Sequence, residues 1–168
     1  TATQLVKQGY VVITIDAFGF GERRIILDED LKYGLDRSKY SLSDVKRLND
    51  RSRKESTIVK DLALAGKTWP GVVFWDDIRT VDYLVTRPEV DPKRIGCMGI
   101  SMGGYRSLFL AALDTRIQAA CVAGFMSTVH PMMKSHVDTH SFVHFLPGLH
   151  RYLDWPDVAS LTAPRHLA

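Results

Sequence analysis

Residues 99–104, which read GISMGG, constrain the fold of this chain more than any other segment. The mostly apolar residues 94–98 before them predict a short buried strand, and the Ala- and Leu-rich residues 105–113 after them predict a helix. A serine in the order G-x-S-x-G between a strand and a helix is typical of a sharp, strained turn that exposes the hydroxyl. The flanking glycines permit the backbone to bend there. We therefore expect Ser101 at the carboxyl end of a strand.

Ser101 has two interpretations at this point. In the catalytic one it is a nucleophile, which needs a histidine to take its proton and a carboxylate to orient that histidine. The backbone N–H of Met102, at the start of the following helix, would then donate to the substrate oxyanion. In the structural one the segment is a glycine-rich turn that packs a helix on a sheet, and Ser101 is the N-cap of that helix.

The remaining apolar patterns alternate between helix and strand. Residues 3–8 predict the end of a helix, residues 10–15 a β-branched strand covered on both faces, and residues 119–123 a further strand. The apolar side chains of residues 74–85 recur at the period of a helix, which predicts a helix there. Its polar side is predicted to carry Asp76, Asp77, Arg79 and Asp82. This alternation predicts a doubly wound, mostly parallel α/β sheet that binds ligands at the carboxyl ends of its strands.

Two segments interrupt the alternation, and we expect both to lie outside the sheet. Residues 25–70 are charged and irregular, which predicts a lid-like excursion with short helices beginning near Ser41 and spanning residues 58–64. Residues 125–156 are rich in His, Met and Pro and predict a second insertion. Its large apolar side chains are expected to line a wall or the core, and they are Met126, Met132, Met133, Phe142, Phe145 and Trp155.

The composition is that of an ordinary globular domain, since 45% of the 168 residues are hydrophobic and 24% are charged. A net charge of +3 is too small to indicate nucleic-acid binding, and the basic residues 46–54 lack interleaved aromatic side chains. No apolar run approaches the roughly 20 residues of a membrane span. Cys97 and Cys121 are expected to be free, because nothing in their spacing suggests a disulfide framework. The compartment is not indicated, although the cytoplasm is slightly favoured. The oligomeric state is not indicated.

A serine nucleophile needs partners, and in this architecture they follow it in the order carboxylate, then histidine. The carboxylate is expected after the second strand beyond the Ser101 turn, and residues 163–167 predict only the approach to that strand. We therefore expect the carboxylate and the histidine beyond Ala168 and the second oxyanion donor before Thr1. This predicts that the chain is an internal fragment of a larger enzyme.

The acidic and basic candidates inside the chain are expected to be structural. Asp114 is predicted to cap the helix after Ser101 or to pair with Arg116, and Asp154 and Asp157 are predicted to be turn or cap residues. All histidines precede the expected position of the carboxylate, which makes each a poor candidate for the general base. They are His130, His136, His140, His144, His150 and His166.

The spacing of His136, Asp138, His140 and His144 leaves two interpretations. On a helix, the three imidazoles would share one face, and together with a carboxylate they would suit zinc. The intervening β-branched residues and the lack of a supporting metal motif favour a polar loop near the mouth of the active site. We therefore predict no metal and no cofactor.

A glycine-punctuated loop follows the strand predicted over residues 10–15. Asp16, at its start, is predicted to be a turn carboxylate that accepts hydrogen bonds from backbone N–H groups. The charged residues 22–24 fit either a contact with an anionic or sugar substrate or an ion pair between loops.

Several segments together resemble one known family. Residues 15–23, 75–84, 87–91 and 99–104 look like the dienelactone hydrolase and acetyl xylan esterase branch of the α/β-hydrolases. The resemblance extends over most of the chain, and residues 157–165 are similar to the segment that leads into the family's acid-bearing strand. It implies a partial α/β-hydrolase domain over residues 1–168 that lacks the N-terminal strands and the strands carrying the acid and histidine.

The resemblance implies hydrolysis of an acetyl or related ester, of a small molecule or a carbohydrate, through an acyl-enzyme and without a cofactor. Dienelactone hydrolases proper use a cysteine nucleophile, whereas this chain has Ser101, which favours the esterase side. The family's acid and histidine have no matching positions here, so the 168 residues alone are expected to be inactive. Two alternatives stay open: a serine peptidase of the prolyl-oligopeptidase type, and a non-catalytic binding module that keeps the turn as a scaffold.

Overall fold

The computed structural model describes residues 2–23, 40–44, 46 and 55–168. It divides the chain into two compact units, residues 1–69 and residues 70–168, which are described separately.

The N-terminal unit contains helix α1 (Ala2–Lys7) and helix α2 (Glu55–Leu64). Helix α1 ends at Lys7, shortly before Gly9, which confirms the predicted helix end. Gly9 has a φ of 90°, a backbone conformation that glycine adopts more readily than other residues. The side chain of Trp69 contacts the loop that follows residue 16 in two ways. Its Nε1 donates to the carbonyl of Phe18 at 2.9 Å, and its ring stacks on Phe20 with 6.0 Å between centroids.

The strand predicted over residues 10–15 does not form. Within the described residues no ladder pairs this segment with another strand, and Tyr10 and Val11 are 59% and 52% exposed. β-branched side chains favour an extended backbone, but a strand also needs a neighbour whose N–H and C=O groups face its own. The prediction of a strand covered on both faces is wrong because the described residues supply no such neighbour.

Much of the lid-like excursion predicted over residues 25–70 lies outside the described residues, as do most of the basic residues 46–54. A helical turn does begin at residue 42, as predicted. It starts with a reciprocal capping pair in which Asp44 N–H donates to Ser41 Oγ at 3.2 Å and Ser41 N–H donates to Asp44 Oδ2 at 3.0 Å. Helix α2 confirms the short helix predicted over residues 58–64.

The C-terminal unit is a three-stranded parallel sheet with helices between its strands, which confirms the predicted α/β class. The strands stand in the order β1-β2-β3. The longest helix has 16 residues, and no helix in the described part of the chain has the length and apolarity that crossing a bilayer requires. The elements are α3 (Trp69–Leu84), β1 (Ile95–Ile100), α4 (Met102–Leu113), β2 (Ile117–Ala123), α5 (Val129–Ser135), α6 (Trp155–Ser160) and β3 (His166–Leu167).

The core of this unit lies on one face of the sheet. Val81 of α3 and Ala111 of α4 form a buried cluster with Ile95 of β1 and with β2. The other face is open, since Met98 and Ile100 are 61% and 74% exposed. The expectation of a buried strand before Ser101 is therefore wrong for alternate residues of β1. Successive side chains of a strand point to opposite faces, and the described elements bury only one of them.

An ion pair between Asp77 and Arg106 joins α3 to α4. Arg106 Nε donates to Asp77 Oδ2 at 3.0 Å, and the two side chains are 18% and 8% exposed. The sequence pattern placed Asp77 on the polar side of its helix, and that expectation is wrong. The helical period reports only which side chains are apolar. It cannot show that the partly buried Arg106 on a neighbouring helix donates hydrogen bonds to one of the carboxylates.

We expect the Asp77→Ala variant of the complete natural protein to lose about 3 kcal/mol of unfolding free energy, because it leaves the Arg106 cation buried without its partner. Equilibrium urea unfolding measures this loss. The double variant Asp77→Leu with Arg106→Met should recover most of it, because no charge is left unpaired. Glu89→Ala breaks an exposed ion pair with Arg87 and should change little. Equal losses in Asp77→Ala and Glu89→Ala would contradict this account.

Candidate active site

The turn between β1 and α4 places Ser101 at the carboxyl end of a strand, as predicted. Ser101 has φ 54° and ψ −118°, and it is the only non-glycine residue with positive φ among the described residues. A serine in this region stores about 1–3 kcal/mol of backbone strain. Strain of this size persists only where the surrounding structure fixes the conformation.

Two backbone hydrogen bonds fix this conformation. Ser101 N–H donates to the carbonyl of Ala123 at the end of β2, at 2.8 Å. The Ser101 carbonyl accepts from Tyr105 N–H at 3.0 Å, which is the first bond of α4. Strand β2 holds one side of the turn and the helix holds the other, while the Ser101 side chain stays exposed.

The glycines around Ser101 serve different purposes. A Cβ on Gly99 would overlap the backbone of Gly103, and a Cβ on Gly104 would lie 2.7 Å from the carbonyl oxygen of Ala123. A Cβ on Gly103 would meet nothing within 4 Å. Close packing of strand, turn and helix therefore requires Gly99 and Gly104. The five-residue motif does not include Gly104.

The structural interpretation of this segment is confirmed in its packing and wrong in one detail, because the Ser101 side chain does not cap the helix. Ser101 occupies the N-cap position of α4, but its side chain makes no capping hydrogen bond. A capping serine adopts an extended backbone and accepts from an N–H in the first helical turn. Asp154 does so at α6, where its carboxylate accepts from Trp155 N–H at 2.7 Å. The hydroxyl of Ser101 is instead left available at the surface.

Met102, the expected oxyanion donor, is the first residue of α4. The first N–H groups of a helix have no acceptor within the helix, and they carry the positive end of its dipole. The Met102 N–H thus adjoins the exposed Ser101 side chain. This arrangement can support a negative charge that develops beside the serine.

The aspartates expected to be structural have structural contacts. Asp114 accepts from Arg116 Nε at 2.8 Å, and this hydrogen bond lowers the pKa of its carboxyl. Asp154 and Asp157 form the capping box of α6, with Asp154 N–H donating to Asp157 Oδ2 at 2.7 Å. Asp154 also accepts from Val129 N–H at 2.9 Å, which links α6 to α5.

None of the six histidines forms a hydrogen bond with the Ser101 hydroxyl in the described part of the chain. His136 and His140 are exposed, and their ring centroids are 5.4 Å apart. His144 is buried and stacks on Phe125, which departs from the expected polar loop. The His144 ring is buried because it packs against the aromatic rings of Tyr105 and Phe125. Over residues 2–23, 40–44, 46 and 55–168, no group of three His, Cys, Asp or Glu side chains is placed to hold a metal ion.

Comparison with known proteins identifies the family. The sequence profile described as the prolyl oligopeptidase family matches residues 62–159, which include the whole turn and α4. The chain belongs to the prolyl oligopeptidase family. This assignment and the parallel sheet confirm the resemblance to the α/β-hydrolases.

Two similar proteins extend the comparison. A Bacillus subtilis (strain 168) protein named "putative hydrolase YtaP" is 32% identical over 167 residues, which are 98% of this chain and 47% of that protein. The crystal structure of a "putative acetyl xylan esterase" from Bacteroides fragilis NCTC 9343 matches with a TM-score of 0.74 and 22% identity, over 99% of this chain and 40% of that one. The second likeness shows the α/β-hydrolase fold. The chain thus spans about half the length of its curated relative.

The cysteines of this family member are free, and Cys97 is not an activated thiol. Burial raises the pKa of the Cys97 thiol to about 11, and its Sγ donates to the carbonyl of Ser107 at 3.5 Å. A raised pKa leaves little thiolate, which is the nucleophilic form. Cys121 is exposed because it lies on the open face of the sheet.

The apolar side chains of the second insertion divide into two groups. Met132 and Trp155 are buried, so they belong to the core. Met126, Met133 and Phe142 are about half exposed, at 54%, 50% and 46%, and Phe145 is partly buried. Met126 follows β2 closely and therefore lies near the carboxyl edge of the sheet.

The loop after residue 15 contains the predicted turn carboxylate. The Asp16 side chain packs against Gly21, where any Cβ would overlap it, and Arg23 Nη1 donates to the Asp16 carbonyl at 3.5 Å. These contacts fit a role in the turn. The side chain of Glu22 and all of Arg24 lie outside the described residues, so the two interpretations of residues 22–24 stay predictions.

Gly103 and Gly104 provide a matched pair for testing the turn. Gly104→Ala should lower the unfolding free energy by about 2 kcal/mol, because the new methyl group presses on the Ala123 carbonyl that holds Ser101. Gly103→Ala should raise it by up to about 1 kcal/mol, because alanine is favoured over glycine within a helix. Chemical denaturation of both variants measures the difference. Similar values for the two would show that the packing described for Gly104 is not the constraint.

Proposed function

We propose that the protein is a serine hydrolase that cleaves carboxylic esters through an acyl-enzyme on Ser101. The observation that carries the proposal is the strained backbone of Ser101 combined with an exposed hydroxyl that caps nothing. A structural turn gains nothing from such strain, whereas a nucleophile gains access to its substrate. The family and the fold both support hydrolysis.

The proposed reaction begins when Ser101 Oγ attacks the carbonyl carbon of the ester. A histidine takes the hydroxyl proton, and the carbonyl oxygen becomes an oxyanion that accepts from the Met102 N–H. Collapse of this intermediate expels the alcohol, which receives the proton from the histidine. Water, deprotonated by the same histidine, then attacks the carbonyl carbon of the acyl-enzyme. The second intermediate collapses, the histidine returns the proton to Ser101 Oγ, and the carboxylic acid leaves.

We propose that the histidine and its carboxylate come from natural sequence beyond Ala168, and the second oxyanion donor from sequence before Thr1. The acidic candidates within the chain already have structural partners, since Asp114 pairs with Arg116 and Asp154 caps α6. The order serine, carboxylate, histidine also places both partners after the strands seen here. This chain covers only 47% of one matched protein and 40% of the other, so both are more than twice as long.

The proposed substrates are acetyl or related esters of small molecules or carbohydrates. The structurally similar Bacteroides fragilis protein is described as a "putative acetyl xylan esterase", which supports this choice. We also propose that residues 125–156 contribute to the substrate-binding surface, because Met126 and Met133 expose apolar surface there. No cofactor takes part in the proposed reaction.

A peptidase activity is the second candidate, and the match to the prolyl oligopeptidase family favours it. The same turn can attack an amide carbonyl as well as an ester carbonyl. The ratio of kcat/KM for p-nitrophenyl acetate to that for short peptide p-nitroanilides separates the two candidates.

An active-site probe tests whether Ser101 is the nucleophile. A fluorophosphonate should label the complete natural protein, and peptide mass spectrometry should place the phosphonate on Ser101. Ser101→Ala should abolish labelling, while Ser160→Ala, which removes another exposed serine, should not. A protein that folds but is not labelled would favour the non-catalytic binding module. Labelling that persists after Ser101→Ala would show that another serine is the nucleophile and would contradict the proposal.

A further inference from the structure

A glycine that the sequence analysis did not single out lies beside Ser101. Gly124 follows β2 directly and has φ 63°. The preceding carbonyl, that of Ala123, accepts the Ser101 N–H at 2.8 Å. The peptide that joins residues 123 and 124 is therefore held against the nucleophile turn.

The space next to Gly124 is bounded by the turn. A Cβ built on Gly124 would lie 3.4 Å from Ile100 Cγ1 and 3.6 Å from Ser101 N. Both distances are ordinary van der Waals contacts, so a side chain would fit there rather than collide. It would occupy volume directly beside Ser101. The positive φ adds a modest cost for any residue other than glycine.

Gly66 offers a comparison with nearly the same backbone and different surroundings. Its φ is 67°, and a Cβ there would meet nothing within 4 Å. Substitutions at Gly66 and Gly124 therefore impose the same backbone penalty. They differ in that a side chain at 124 takes up space beside Ser101.

We infer that Gly124 is a specificity-determining residue, whose missing side chain keeps open the space beside Ser101 that the acyl group of the ester enters. This inference rests on the proposed function of Ser101. An acyl group attached to Ser101 Oγ must lie within a few ångströms of the Ser101 backbone. A side chain at 124 competes for that volume, and a longer acyl group meets this competition more severely than acetyl does.

The experiment compares Gly124→Ala and Gly124→Asn with Gly66→Ala and Gly66→Asn in the complete natural protein. Asparagine tolerates positive φ better than other residues, so Gly124→Asn tests the idea even if Gly124→Ala folds poorly. Initial rates on p-nitrophenyl acetate, butyrate and hexanoate give kcat and KM separately. Circular dichroism and thermal unfolding confirm that each variant is folded.

We expect the ratio of kcat/KM for the hexanoate to kcat/KM for the acetate to fall at least about tenfold in the Gly124 variants. A pocket that loses the volume of one or two methylene groups produces discrimination of about this size. The Gly66 variants should change kcat/KM by the same factor for all three esters. Equal losses on all three esters at Gly124 would overturn this inference and leave the proposed function standing. A wild-type protein that neither hydrolyses these esters nor is labelled at Ser101 would overturn both.

Discussion

The hydrogen bond from Ser101 N–H to the Ala123 carbonyl is the contact on which the candidate site depends. It joins the end of β1 to the end of β2, and the parallel register that pairs Ile100 with Ala123 brings these ends level. It also occupies the N–H of Ser101, so the next N–H along the chain, that of Met102, is the one available for the role of oxyanion donor that we propose. The positions of the proposed nucleophile and of its proposed oxyanion donor therefore follow from one bond.

That hydrogen bond forms because glycines around it let the strand, the turn and the helix approach closely. Gly104 lets α4 approach the Ala123 carbonyl, and Gly99 lets the strand pass close to the backbone of Gly103. Below the turn, Tyr105 packs against Phe109 and Phe125, with ring centroids 4.9 and 5.0 Å apart. A packed helix of this kind resists the movement that would relax Ser101 to an ordinary φ, which explains how strain persists on an exposed residue.

Local patterns predicted the parts of the structure that local physics controls. The turn at Ser101, the helix after it and the capping roles of Asp154 and Asp157 follow from residue type and spacing within a few positions. Residues 10–15 show the limit of this approach. Their β-branched pattern indicates an extended backbone, but pairing depends on a partner distant in sequence.

The same limit applies within the core and at the site. Asp77 is buried because Arg106 lies on the neighbouring helix, and His144 is buried among aromatic rings from other elements. Neither neighbour is visible in a helical period. Gly124 does carry a sequence signal, because it is a glycine directly after a strand at the carboxyl edge. Its relation to Ser101 becomes apparent only when β1 and β2 are side by side.

The central claim is that the turn holds Ser101 in a strained backbone for the sake of its hydroxyl, and replacing Ser101 with glycine tests it most directly. Glycine adopts positive φ without cost, so Ser101→Gly should raise the free energy of unfolding by about 1 kcal/mol over Ser101→Ala. Both variants should lose hydrolytic activity to the same extent. Equal unfolding free energies for the two variants, or activity that survives in Ser101→Gly, would contradict the account.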